Sequence, residues 1–303
     1  MAIADPALQH AVDDAVRREG VRRLSELRSL DGSSRGITDL SGIESLTGLR
    51  RLRLDDNAVH DLEPLGALRS LTGLFLGGND IEDLGALRGL DQLPALDVSA
   101  NRITDVGALS SMTCLTWLDV SHNAVDGLEA IGGLRYLTRL ALEDVGMRAL
   151  PPCDDLVRLR SLSVPRNHLS ELGPLSSCKE LRALDARAND IDDVAAVATL
   201  HQLRHLDLSE NPLVDLAPLS ALHQLRTLYL WCCEVEDLSP LAPLAHLAEL
   251  GVADNRVASI DPIRHLDLDL LFLGGNDGVP DAPPAAPGRD LRGPGWRRDA
   301  TGS

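Results

Sequence analysis

Aromatic residues are scarce in this 303-residue sequence, which contains only three Trp, two Tyr and two Phe. A folded core must therefore be built from aliphatic side chains. Lysine is nearly absent as well, and the 46 acidic residues outnumber the 29 Lys and Arg, which gives a formal net charge of -17. Phosphate binding needs a basic face that releases counterions, so we expect no nucleic-acid partner.

Several other features are missing. The opening stretch, MAIADPALQHAVDD, lacks the basic and apolar regions of a signal peptide, and no apolar run reaches the roughly 18 residues of a membrane span. Five cysteines without paired spacing give neither a disulfide framework nor a zinc motif, and phosphate-binding loops are absent. We expect a cytoplasmic protein that binds no membrane, metal or cofactor.

What the sequence contains is one unit, repeated almost from end to end. Residues 115–136 read LTWLDVSHNAVDGLEAIGGLRY, with aliphatic residues at fixed positions and Asn123 after the first three of them. The unit recurs every 22 residues, and its first leucine falls at Leu27, Leu49, Leu71, Leu93, Leu115, Leu137, Leu159, Leu181, Leu203, Leu225 and Leu247. Such a period predicts an elongated solenoid in which each coil contacts only its neighbours.

Polar positions of the unit also have predicted roles. The asparagine amide should turn inward and bond the backbone of the neighbouring coil. Cys233 can replace it, whereas Val145 cannot, so we expect a weaker ladder at Val145. An aspartate precedes many outer segments, where it can cap a helical turn or contribute to a cation-binding stripe, and capping is the preferred interpretation. These aspartates are Asp39, Asp61, Asp83, Asp105, Asp193, Asp215 and Asp237.

Three units resemble the 22-residue leucine-rich repeats of the bacterial internalin-like class and the eukaryotic SDS22-like class. They read ITDLSGIESLTGL at 37–49, ITDVGALSSMTCL at 103–115 and LVDLAPLSALHQL at 213–225. The resemblance implies an α/β solenoid shaped as a curved horseshoe, with a parallel β-sheet on the concave face and short 3₁₀ or helical turns on the convex face. It also implies a non-enzymatic protein that binds other proteins on its concave face.

Three segments are predicted along the chain. Residues 1–26 form an N-terminal capping helix, in which Asp5 is the N-cap, Pro6 the first helical residue and Gly20 the stop. Its apolar side either covers the end of the solenoid or binds a partner. Residues 27–278 form the solenoid of about twelve coils, and residues 279–303 form a Pro/Gly-rich tail that is expected to be disordered or to carry a short docking motif.

Strand alternation predicts which side chains line the concave face. Five of the seven aromatic residues fall at these outward positions, namely Phe75, Trp117, Tyr229, Trp231 and Phe272. Aromatic residues are typical anchors of protein interfaces, so Tyr229, Trp231 and Phe272 are predicted to form the primary binding patch. In the alternative interpretation the rings are covered within the chain, with Trp117 on Arg139 and Phe75 on Arg53.

Charged residues share these outward columns. The aspartates are Asp97, Asp119, Asp185 and Asp207, and the basic candidates are Arg139, Arg187 and His205. Like charges on adjacent strands repel, so the acidic column either receives a basic partner segment or remains solvated. His205, Asp207 and Ser209 could suggest a catalytic dyad with a nucleophile, but the repeat alone explains their spacing and implies no oxyanion site.

The predicted function is that of a monomeric, cytoplasmic scaffold of bacterial type. It binds a protein partner on its concave face, without enzymatic activity, and could serve as a regulatory subunit. The alternative is an exported adhesin or effector that binds a host protein.

Overall fold

A computed structural model describes residues 3–276 and 279, and these form the predicted leucine-rich repeat solenoid. Twelve short strands form one parallel sheet in sequence order. The strands are β1 (Ser29–Asp31), β2 (Arg51–Arg53), β3 (Gly73–Phe75), β4 (Ala95–Asp97), β5 (Trp117–Asp119), β6 (Arg139–Ala141), β7 (Ser161–Ser163), β8 (Ala183–Asp185), β9 (His205–Asp207), β10 (Thr227–Tyr229), β11 (Glu249–Gly251) and β12 (Leu270–Phe272).

The 22-residue period fixes the register of this sheet. Leu118 at the centre of β5 pairs with Leu96 of β4 and Leu140 of β6, and each of these side chains is at most 3% exposed. Because side chains alternate along a strand, the residues on either side of these leucines point to the concave face. Each fully buried leucine contributes roughly 1.5 to 3 kcal/mol, so stability accumulates coil by coil.

The convex side consists of short helical segments. The 3₁₀ segments are Leu24–Glu26, Ile43–Ser45, Glu63–Ala67, Gly85–Gly89, Gly107–Ser111, Gly173–Ser177, Ala195–Thr199, Ala217–Ala221, Ser239–Leu241 and Asp261–Ile263. Prolines occupy the first turn of five of these segments, where no helical N–H bond is lost. All seven predicted capping aspartates accept the backbone N–H two residues further on, at 2.7 to 2.9 Å. Much of the acidic excess is therefore structural.

The asparagine ladder is confirmed, and Asn211 illustrates it. Its amide nitrogen donates to Ala186 O at 3.0 Å and Leu208 O at 2.9 Å, while its oxygen accepts the Ile191 N–H at 3.0 Å. Corresponding amide bonds are formed by Asn57, Asn79, Asn101, Asn123, Asn167, Asn189, Asn255 and Asn276. The ladder thus satisfies backbone groups of two neighbouring coils at once.

The two coils that lack the asparagine behave differently. The Cys233 thiol replaces the amide and lies 3.4 Å from Leu208 O. Val145 has no such polar group. An asparagine at position 145 would accept the Val125 N–H, and in its place this N–H has no acceptor within the described part of the chain. The neighbouring convex segment is a short helix, α2 (Glu129–Gly132), instead of a 3₁₀ turn. The predicted weak point of the ladder is present at this coil.

The N-terminal helix α1 (Pro6–Glu19) covers the first strand. Leu8 and Val12 are fully buried on its inner side, and the helix ends at Gly20, which is left-handed with φ 66°. The Asp5 carboxylate caps the helix through the Leu8 N–H and also accepts the Thr38 N–H of the first coil. The same side chain therefore starts the helix and attaches it to the solenoid.

Among residues 3–276 and 279, no helix has the length and apolar character that a membrane span requires. The predicted tail, apart from Val279, lies outside the described residues.

Candidate functional site

Tyr229, Trp231 and Phe272 form one contiguous group on the concave face, called the C-terminal aromatic cluster below. The Tyr229 and Trp231 ring centroids are 5.2 Å apart, and Trp231 meets Phe272 edge to face at 6.0 Å. Such separations are favourable for aromatic pairs and add roughly 0.5 to 1.5 kcal/mol to the area that they bury. The cluster is thus held in place before any partner arrives.

Gly251 provides the seat for this cluster. It pairs with Tyr229 across β10 and β11, and a Cβ atom at this position would clash with the Trp231 indole nitrogen and lie 2.8 Å from the Tyr229 ring. Any larger residue would therefore displace the indole. The absence of a side chain in one coil determines where the ring of the preceding coil lies.

The prediction that Tyr229 presents an open binding surface is wrong, because only 9% of it is exposed. Its hydroxyl donates to a Glu249 carboxylate oxygen at 2.8 Å. Burial, together with this hydrogen bond, raises the pKa of the Tyr229 hydroxyl. Trp231 lies over it and is 40% exposed, among the most exposed large apolar side chains of the described chain. Tyr229 therefore supports the site, and Trp231 is the surface that a partner can contact.

Phe75 and Trp117 form a second group, the N-terminal aromatic cluster, with centroids 5.8 Å apart. The predicted stacking of Arg53 on Phe75 is confirmed at 4.9 Å, and Arg51 lies over the same ring at 5.0 Å. The alternative pairing of Trp117 with Arg139 is wrong. The small Ala95 on the intervening strand lets the indole approach Phe75, and Arg139 remains exposed.

The acidic column is less open than predicted. Asp97, Asp185 and Asp207 are 6%, 1% and 9% exposed, whereas Asp119 is half-buried. Each of the four accepts the backbone N–H two residues further along, from Ser99, Ser121, Arg187 and Ser209 respectively. These aspartates shape the ends of their strands, so a solvated acidic stripe does not describe them.

Asp185 is the most buried carboxylate of this column, and burial raises its pKa to about 6. The Arg187 guanidinium, 3.8 Å away, acts in the opposite direction, while Asp207 and Glu143 raise the pKa further. Arg187 thus serves as the internal counterion of a carboxylate that burial makes costly to ionise.

Replacing Asp185 by asparagine is expected to change the pH dependence of folding. From about pH 4 to about pH 6 the folded protein keeps a proton on Asp185 that the unfolded chain has released, so stability falls as pH rises through this window. Denaturant unfolding should show the wild type losing about 1 to 2 kcal/mol across the window relative to Asp185→Asn. The exposed Asp192→Asn variant should follow the wild type, and parallel profiles for the wild type and Asp185→Asn would contradict the assignment.

His205 does not form a dyad with Asp207. One of its ring nitrogens lies 3.2 Å from the Thr227 hydroxyl, whereas Asp207 accepts the Ser209 N–H. Within residues 3–276 and 279, no group of three or more His, Cys, Asp or Glu side chains is placed to hold a metal ion.

Arg51 and Glu249 are the residues of these clusters that the sequence analysis missed. Each lies on a strand beside the one that carries its aromatic partner, Phe75 or Tyr229. The repeat register contains this signal, because residues 22 positions apart are lateral neighbours. A scan for polar residues one strand away from each aromatic ring would have found both.

Comparisons with known proteins agree with this fold. Family profiles of leucine-rich repeats match residues 201–243 and 93–110. Among solved structures, an internalin (inlF) from Listeria monocytogenes is 26% identical, with a TM-score of 0.60, over 88% of this chain and 94% of that one. Internalin C2 from the same organism is 28% identical, with a TM-score of 0.57, over 77% and 94%.

The functional domain of InlJ, also from Listeria monocytogenes, is 27% identical, with a TM-score of 0.72. The match covers 83% of this chain and 54% of the InlJ chain, so this chain spans about half of that structure. A comparison with curated proteins finds no match.

Proposed function

Because this chain is a leucine-rich repeat protein of the internalin-like type, we propose that it binds a protein partner on its concave face, through a contact centred on Trp231. The fold is typically a non-enzymatic scaffold for protein binding. The rigid concave face would hold the partner and regulate it by occlusion, as a regulatory subunit does.

This proposal rests on one observation, namely that the Trp231 indole is exposed and lies in the space that Gly251 leaves open. A tryptophan that is 40% exposed leaves apolar area in water. Its neighbours Tyr229, Phe272 and Gly251 fix the ring, so little side-chain entropy remains to be lost when a partner covers it. Rigid, partly exposed aromatic side chains in the middle of a surface are where interfaces concentrate their binding energy.

Two further parts of the proposal concern the state of the protein in the cell. All five cysteines carry free thiols, which supports a reducing, cytoplasmic location. Helix α1 covers the first edge of the sheet, which supports a monomer, because an open parallel edge invites pairing between chains. Cell fractionation and light scattering test these two points.

Affinity capture from the cell of origin, followed by mass spectrometry, tests the binding site. The wild type is compared with Trp231→Ala and with Tyr136→Ala, which removes a 44% exposed aromatic side chain that lies outside the strands of the sheet. We expect one protein to be captured by the wild type and by Tyr136→Ala but not by Trp231→Ala. Capture of the same proteins by all three would contradict a contact at Trp231.

A further inference from the structure

Four arginines form a stripe along the edge of the sheet at which the strands begin. Arg160, Arg182, Arg204 and Arg226 immediately precede β7, β8, β9 and β10. Each is tied to the next by a backbone hydrogen bond of 2.8 or 2.9 Å, so their Cα atoms lie in register on adjacent coils. At a strand spacing of about 4.8 Å, this arginine stripe is about 14 Å long.

Most of the positive charge of the stripe has no counterion within the described part of the chain. All four arginines are exposed, and Arg160 pairs with Glu180 at 3.2 Å. The other three side chains form no hydrogen bond or ion pair within residues 3–276 and 279. The flanking residues are Lys179, Glu180, His201, Gln202, His223 and Gln224, so Glu180 is the one carboxylate among these six. Adjacent like charges repel, so an anion would stabilise this edge.

Besides Glu180 and Glu249, which accepts the Tyr229 hydroxyl, exposed acidic residues lie at the opposite edge of the sheet, where the strands end. Asp190, Glu210, Glu234 and Asp254 are all exposed there. Six residues of extended chain separate Arg204 from Glu210, which is roughly 20 Å, or about two Debye lengths at physiological ionic strength. The acidic edge is therefore screened from the stripe, although the chain as a whole has a charge of -17.

We propose that the arginine stripe binds an extended acidic peptide segment that runs along the solenoid. In an extended peptide, side chains on one side recur every 6.6 to 6.8 Å or so, and three of them span roughly 13 to 14 Å. This length matches the stripe from Arg160 to Arg226, so the two outer acidic residues would face its ends and the middle one would lie between Arg182 and Arg204, within reach of both guanidiniums. Arginine also pairs with carboxylates in a bidentate manner.

The size and surroundings of the stripe favour a peptide over a nucleic acid. A nucleic acid is charged along its whole length and would extend past the 14 Å or so of the stripe onto a molecule with a charge of -17. A short acidic segment ends where the arginines end. The stripe also lies apart from the C-terminal aromatic cluster, because five residues of extended chain, about 16 Å, separate Arg226 from Trp231. This proposal therefore does not depend on the contact at Trp231.

The test uses a fluorescein-labelled heptapeptide with glutamates at its second, fourth and sixth positions, separated by serines. Fluorescence anisotropy measures its binding to the full chain at low and at physiological salt. Changing Arg182, Arg204 and Arg226 together to glutamine is expected to weaken binding about 10- to 100-fold, and salt is expected to weaken wild-type binding. The matched control changes three exposed arginines elsewhere, Arg22, Arg88 and Arg148, so that both variants lose the same charge.

Retention of binding by the control variant, with loss in the stripe variant and in a glutamine-containing peptide, supports the proposal. Equal weakening in both variants would reduce the effect to overall charge and overturn it. No binding of the acidic peptide to the wild type would also overturn it. A single-stranded RNA oligonucleotide that binds the stripe more tightly than the peptide would overturn the assignment to an acidic segment.

Discussion

Trp231→Ala is expected to weaken partner binding by about 2 to 4 kcal/mol, or roughly 30- to 1,000-fold in Kd. The indole is the exposed part of a cluster whose other members hold it in place. Removing it takes away the apolar area that a partner would cover and leaves a depression above Tyr229 and Gly251. A partner shaped to the ring cannot fill this depression without rearranging, and titration calorimetry with the captured partner measures the loss.

The folding stability of Trp231→Ala should fall by about 1 to 2 kcal/mol, less than the loss in binding, because the indole also packs on Tyr229 and Phe272. The ring lies on the surface and is 40% exposed in the free protein, so folding buries only part of its area. Tyr136→Ala, a substitution of a similarly exposed ring, is the control for binding. If Trp231→Ala lost as much unfolding free energy as binding free energy, the indole would be part of the scaffold and not a contact surface.

Asn211→Ala is expected to lower the free energy of unfolding by about 2 to 4 kcal/mol. The carbonyls of Ala186 and Leu208 each keep a second donor when the amide is removed, because Asn189 and Cys233 also donate to them. The Ile191 N–H, in contrast, loses the one acceptor that it has within residues 3–276 and 279, and it becomes a buried, unpaired donor. An orphaned buried group costs roughly 1 to 3 kcal/mol, and the cavity adds to this.

Denaturant unfolding measures this loss, and amide hydrogen exchange locates it, because protection should fall first at Ile191 and in the coils around it. The matched substitution is Cys233→Ala, at the same position of the next coil. Its thiol sulfur lies 3.4 Å from Leu208 O, and the Leu213 N–H, which corresponds to that of Ile191, bonds to Asn211 O at 2.8 Å instead. Cys233→Ala should therefore cost only about 1 kcal/mol. Equal losses in the two variants would show that the amide bonds do not stabilise the ladder.

The 22-residue period was sufficient to predict the solenoid, its register and its caps. Strand alternation places Leu118 inward and Trp117 and Asp119 outward, and the structure has this arrangement. The period also predicts the weak coil, because Val145 replaces the asparagine whose oxygen would accept the Val125 N–H. These features depend on backbone geometry that the repeat itself determines.

Burial within the concave face could not be predicted in the same way. Tyr229 and Trp231 both occupy outward positions, yet one is buried and the other exposed. The difference comes from the adjacent coil, since Gly251 leaves room for the Trp231 indole to lie over that coil. Side-chain size on adjacent coils and the choice of rotamer decide such coverage, and a rule that assigns residues only to inner or outer faces contains neither.

The acidic column shows a second limit of the sequence pattern. Asp97 and Asp207 occupy the same outward column as the half-buried Asp119, but both are buried, and each turns back to accept the N–H two residues on. Short polar side chains bond their own backbone readily at the ends of strands. The motif Asp-x-Ser, present at Asp97 to Ser99 and at Asp207 to Ser209, is the signal that indicates this local bond.

Photo-crosslinking in the cell of origin identifies which face of the solenoid contacts the partner. A photoreactive amino acid is placed at Ala253, two positions after the glycine seat of Trp231, and in a separate variant at Val214, a 61% exposed residue between the strands. Binding on the concave face predicts one covalent protein adduct from position 253 and none from position 214. An adduct from position 214 alone would contradict the account and place the interface on the outer side of the solenoid.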